Sequence, residues 1–253
     1  MSESKFMVPT EMVDLPTKGL LYPPTNPLAS GSVEIKYMTA KEEDILTNAN
    51  LLRQGLAIEK MLKSVIKSPI TYEDLIMGDR NAILIATRII GYGKDYLLEV
   101  TNPNTGELEK VNADLQTLKY KEIDFSVFNN GEVTYELPYT KNTVTFKMLT
   151  IADDKRIDED FKSIKKVLGY EPGASERLKY QITSINGDRA HKTIVDFIDS
   201  GALLARDANP LRRYIASVTP DVDMTTTVTL KDGTQLEVDV PMTAEFFFPG
   251  FGS

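Results

Sequence analysis

Four of the chain's ten phenylalanines, Phe246, Phe247, Phe248 and Phe251, fall within its last eight residues. Glu245 is the only charged side chain from Ala244 to Ser253. Aromatic surface on that scale is not left in water, so the chain must fold with this tail covered, either by its own core or by a neighbour. A chain of 253 residues is long enough for a sizeable core. Folding at that length buries roughly 70–75% of the surface an unfolded chain exposes. Cysteine is absent, which removes disulfides, thiolate nucleophiles and cysteine-ligated zinc.

Charge narrows the partners. Twenty-nine Lys and Arg against 37 Asp and Glu give a net charge of −8, so long-range attraction to nucleic acid or an anionic membrane is not expected. No apolar run approaches the roughly 20 residues that span a bilayer, and Met1 to Asp14 lacks the apolar stretch of a secretory signal. The chain is expected to be soluble and unprocessed.

The pattern along the chain mixes helix and strand. Pro9, Pro16, Pro23, Pro24 and Pro27 predict an extended N-terminal arm, in which Leu15, Leu20, Leu21 and Tyr22 need apolar cover. Val33, Ile35 and Tyr37 alternate with charged residues as in a half-buried strand. Thr39 with Glu42 has the spacing of a capping box. Apolar residues from Leu51 to Ile66 recur at helical spacing up to Pro69, Thr71 caps a short turn, and Asp79 is expected to cap a helix over Arg80 to Ile90. Alternation around Leu98 and Leu108, around Val133 and Val144, and around Thr225 and Leu236 predicts three hairpins, the last turning at Asp232-Gly233. Between them, Ile151 to Leu168, Ala174 to Ile185, Lys192 to Ile198 and Ala202 to Val218 read as helices, with a break or kink at Asn209-Pro210.

The fold class that follows is α+β: two mainly helical lobes interleaved with antiparallel β-hairpins, an extended N-terminal arm and an aromatic C-terminal tail. The boundaries fall at 1–31 for the arm, 32–93 for a strand and helical lobe, 94–150 for a hairpin region, 151–218 for a second helical lobe, and 219–253 for a hairpin and the tail. Tyr37-Met38-Thr39-Ala40, Met148-Leu149-Thr150-Ile151 and Pro241-Met242-Thr243-Ala244 form an internal echo, each a strand-to-helix joint with a capping threonine, and suggest duplicated units.

Candidate chemistry is sparse. His191 is the only histidine, and Asp188-Arg189-Ala190-His191-Lys192 carries no nucleophile motif. Gly91-Tyr92-Gly93-Lys94 follows a helix, whereas a phosphate loop follows a strand and opens a helix; the glycines are more simply helix-ending residues. Asp153, Asp154, Asp158, Glu159 and Asp160 lack the spacing of a calcium loop and pair with Lys155, Arg156, Lys162, Lys165 and Lys166 as a charged helix face. Arg206, Arg212, Arg213 and Tyr214 form one basic-aromatic cluster, too little in an acidic chain for nucleic acid and equally suited to an acidic neighbour. No catalytic, cofactor-binding or metal-binding residue is assigned.

Four strings carry a resemblance: Asp14 to Pro23 (DLPTKGLLYP), Ile35 to Asn48 (IKYMTAKEEDILTN), Gly78 to Ala86 with Gly91 to Tyr96, and Pro241 to Pro249 (PMTAEFFFP). Together they are similar to the T-even-type bacteriophage baseplate proteins of the hub or hub-assembly class. Members of that family often carry Cys-x-x-Cys-Gly at hairpin turns, whereas Asn102 to Gly106 and Leu230 to Thr234 hold no thiolate here, so metal binding is not carried over. The resemblance implies a structural protein of a contractile phage tail, made in the host cytoplasm and placed in the virion's baseplate, with no catalysis and no cofactor. Its implied partners are other tail and baseplate proteins, with a homo-oligomer inside the assembly as a further arrangement, and neither nucleic acid nor membrane. The alternative is a non-incorporated assembly factor that builds the hub and leaves. Docking is expected through Leu20, Leu21 and Tyr22 of the arm and Phe246, Phe247, Phe248 and Phe251 of the tail, as buried aromatic anchors within a polar rim.

Overall fold

In the computed structural model of the chain, residues 7–169, 173–242 and 244–247 are described. Strand β1 (Thr10–Asp14) pairs antiparallel with β2 (Ser32–Lys36), and Val33 and Ile35 of β2 point into the core. The proline-rich segment between them does not reach outward. It closes into a loop in which the Leu15 N–H donates to Gly31 O at 2.9 Å. A Cβ on Gly19 would lie 2.5 Å from Ala29 O, so the closure needs a residue without a side chain there.

After β2 the expected joint forms: Glu42 accepts from the Thr39 N–H at 2.9 Å, and helix α1 (Ala40–Thr47) follows. The helical run predicted from Leu51 to Ile66 is two helices, α2 (Ala49–Arg53) and α3 (Ala57–Val65), separated by Gly55 at φ 70°. Helix α4 (Met77–Tyr92) begins two residues before Asp79, which is therefore no cap; Ile83, Leu84 and Ile85 bury against the strands and helices around it.

Helix α4 ends at Gly93, with φ 83°. Beyond it β3 (Asp95–Thr101) and β4 (Leu108–Asp114) form the first predicted hairpin. Then come the two-residue strands β5 (Lys119–Tyr120) and β6 (Phe128–Asn129), and the second hairpin, β7 (Glu132–Glu136) with β8 (Thr143–Lys147). Helix α5 (Ile151–Leu168) opens with Thr150 as its cap and stops at Gly169 in the left-handed region. Helix α6 (Ala174–Gln181) is shorter than expected, because Ile182 to Ile185 form β9, the edge of an antiparallel sheet ordered β6-β7-β8-β9. Ile182 and Ile185 both bury, beside Phe146 and Val144 of β8, and this strand pairing overrides a helical reading of four residues.

Helix α7 (His191–Asp199) and helix α8 (Ala205–Val218) follow. Pro210 neither divides nor ends α8. The N–H it lacks would have met the carbonyl of Arg206, an exposed first-turn residue, so water can satisfy that oxygen. Strand β10 (Val222–Asp223) pairs with β5, and β11 (Thr225–Thr229) with β12 (Gln235–Asp239) closes the last hairpin. One apolar core links Leu28, Met61, Ile83, Phe146, Leu211 and Val228 across most of these elements. Eight helices and five antiparallel sheets among the described residues make the fold α+β.

Candidate functional site

The closed loop after β1 presents the residues singled out for docking. Leu20 is 61% exposed, Leu21 is half-buried and Tyr22 is buried. Tyr22 turns inward because its hydroxyl donates to Asp79 Oδ2 at 2.6 Å, and Asp79 also accepts from the Thr17 hydroxyl at 2.7 Å and the Thr17 N–H at 3.0 Å. Burial pushes the Asp79 carboxyl up despite these donors, and pushes the Tyr22 phenol far up as well, with Asp79's charge adding to it.

Anchored in this way, the loop forms one wall of a groove of about 640 Å³, lined by Leu20, Leu21, Pro23 and Pro24 on one side and Phe125 and Phe128 on the other. Phe125 and Phe128 have ring centroids 6.0 Å apart, and the Lys18 ammonium lies 5.5 Å from the Phe125 ring. A second hollow shares Leu21, Tyr22, Pro23, Asn130 and Gly131 with this groove and is lined also by Asp74, Lys147 and Thr150. The arrangement is an open apolar trough with charged groups at its far end, a form that suits an extended segment with apolar side chains. Phe125 and Phe128 were missed from sequence; their Phe-Ser-Val-Phe spacing carries no period that marks a surface.

The tail behaves differently from the loop. Phe246 and Phe247 are each 1% exposed and pack edge to face, 5.4 Å apart, while Phe246 lies 5.4 Å from Tyr96. Arg88, itself buried, donates through Nε to Phe246 O at 2.7 Å and spends its other nitrogens on Gly93 O and Asp95 O. These two phenylalanines are thus covered by the chain's own core, and no partner can take them without opening it. Phe248 and Phe251 lie outside the described residues.

The remaining candidates are dispersed. His191 is an exposed first residue of α7. Gly91 lies within α4, and only Gly93 ends it. Asp153 accepts from Lys147 and the Thr150 N–H, Asp154 pairs with Arg177, and Lys155 reaches across to Glu59 at 2.7 Å, so the charged face of α5 joins other helices. Among the described residues no three His, Cys, Asp or Glu side chains form a group able to hold a metal ion. Arg206 covers the Tyr139 ring, Arg212 bonds Asn209, and Tyr214 stacks on Tyr135 at 4.4 Å, so the basic-aromatic cluster is spread over separate contacts. The turns at 102–106 and 230–234 meet: Asn104 Nδ2 donates to Asp232 Oδ2 at 3.2 Å and the Lys231 N–H to Glu109 Oε2 at 2.9 Å. No helix among the described residues is long and apolar enough to cross a membrane.

Comparison with known families adds one match: the family model described as T4 bacteriophage base plate protein covers residues 21–248. Neither the curated proteins nor the solved structures contain a match.

Proposed function

Because the chain belongs to the T4 bacteriophage base plate protein family, we propose that it is a structural, non-enzymatic component of the hub region of a contractile tail baseplate, located in the virion and acting by docking on other tail proteins. The observation that carries the docking half of this reading is the open apolar groove between Leu20-Leu21 and Phe125-Phe128, since exposed apolar patches rimmed by polar residues mark protein contacts. The partner is an extended apolar segment of another baseplate protein, with Leu20 as the anchor left exposed in the free chain.

Two measurements test this. Mass spectrometry of purified virions should find the chain in the finished particle; a chain required for infectivity yet missing from virions is an assembly factor instead. Leu20→Asp and Phe125→Asp, at groove positions that do not pack against the core, should leave the purified chain folded and reduce its incorporation into tails. Normal incorporation of both variants would refute the groove as the docking surface.

A further inference from the structure

The echo at Thr39 and Thr150 extends well beyond the two capping threonines. Lys36, Thr39 and Glu42 recur at the same spacing as Lys147, Thr150 and Asp153, and in each set the lysine at the end of the strand bonds the helix carboxylate, at 2.7 Å and 2.8 Å. The parts around these joints also recur in order. Strands β1 and β2, helices ending in α4, and the β3-β4 hairpin match β7 and β8, helices ending in α8, and the β11-β12 hairpin, with β9 and β10 as additions to the second set.

The connections inside the two opening hairpins correspond as well. Leu15-Pro16-Thr17-Lys18-Gly19 leaves β1, and Leu137-Pro138-Tyr139-Thr140-Lys141-Asn142 leaves β7. Leu15 and Leu137 are both buried, and Lys18 and Lys141 both adopt the left-handed conformation, at φ 53° and φ 62°, which is uncommon for lysine.

A third correspondence joins the two ends of each unit. Asp79 is the third residue of α4 and Asp207 the third residue of α8, and both are 0% exposed. Asp79 accepts the Thr17 N–H at 3.0 Å; Asp207 accepts the Tyr139 N–H at 2.7 Å and the Thr140 N–H at 3.1 Å. A carboxylate in the first turn of a helix already faces the positive end of the dipole, and burial obliges it to find donors. Each aspartate finds them in the connection of its own unit's opening hairpin, far away in sequence.

We infer that the chain carries one hairpin-helix-hairpin unit twice, and that Asp79 and Asp207 are its two equivalent latches, each holding a hairpin connection closed on the N-terminus of the unit's last helix. The latched connections expose Leu20 at 61% and Tyr139, with Arg206 over one face of its ring, at 58%, so each latch fixes the position of an exposed side chain without being exposed itself. The latches are separate, and opening one loosens its own loop only.

Peptide-level hydrogen exchange on the full chain tests it. Asp79→Ala should speed exchange in residues 15–22 by about tenfold or more with 138–142 unchanged, and Asp207→Ala should do the reverse, as expected for independent local opening. If either variant is too unstable to purify, Asp79→Asn, Thr17→Ala and Asp207→Asn make the same comparison. Unchanged protection in a loop whose latch is altered, or equal loosening of both loops by either variant, would overturn the inference.

Discussion

The Tyr22 hydroxyl donates to Asp79 at 2.6 Å and accepts the Ile76 N–H at 2.9 Å, so a single phenol ties the loop after β1 to the start of α4. It serves an otherwise unpaired backbone donor at the helix start and a buried carboxylate in the helix's first turn. The groove wall formed by Leu20, Leu21 and Pro23 is held by these bonds.

Tyr22→Phe removes one donor to Asp79 and one acceptor for Ile76 without changing the ring. A buried group left unsatisfied costs about 1–3 kcal/mol. The expected result is a lower urea midpoint with an unchanged slope, read by circular dichroism.

Acid stability should depend on Glu42. Burial acts to raise its pKa, but hydrogen bonds from Lys36, Ser64 and Thr39 hold the carboxyl down at about 2. A folded value below the unfolded one, about 4.3, means that its contribution is complete at neutral pH and is lost as pH falls from about 4 towards 2. Glu42→Gln should lower stability at pH 7 and flatten the acid limb of a stability-pH profile. An unchanged acid limb would contradict this. Asp79 acts in the opposite sense. Its raised carboxyl favours the fold below its unfolded pKa, and that contribution declines as pH rises through the folded value.

The tail is predicted to matter for folding before it matters for contacts. Phe246→Ala opens a cavity beside Tyr96 and Arg88, and truncations of this kind in a core cost about 3–5 kcal/mol. Removal of all residues after Met242 takes both buried rings and leaves Arg88 Nε without its acceptor. Thermal melts should show the truncated chain less stable than Phe246→Ala.

Gly78→Ala tests close packing against helix propensity. Alanine is favoured over glycine inside a helix by about 1 kcal/mol. A Cβ at this position would lie 2.0 Å from Pro220 O, a backbone atom, and overpacking of that kind costs about 1–3 kcal/mol or more. The variant should be destabilised, with a lower melting temperature than the parent.

Much of the local structure was legible because its causes lie within a few residues. Thr39 with Glu42, Thr150 with Asp153, the stop at Gly169 and the hairpin around Asp232-Gly233 are each short-range hydrogen bonding or backbone preference. The loop after β1 was visible as leucines in need of apolar cover among prolines, and the tail as aromatic surface in need of cover. Where several weak local signals competed, the reading failed. Gly55 divided a helical run, and Ile182 to Ile185 became a strand, since four residues with two isoleucines fit either period.

By itself, the sequence determined the α+β class, the hairpins, the capped joints and the requirement that Phe246 and Phe247 be covered, because these follow from spacing, turn chemistry and the cost of wet aromatic surface. Only the tertiary structure decided what covers them and where the buried carboxylates point. Arg88 is 158 residues from Phe246, Asp79 is 57 from Tyr22, and Asp207 is 68 from Tyr139. A buried charge takes whichever donors folding brings within hydrogen-bond distance. No local pattern along the chain encodes that choice.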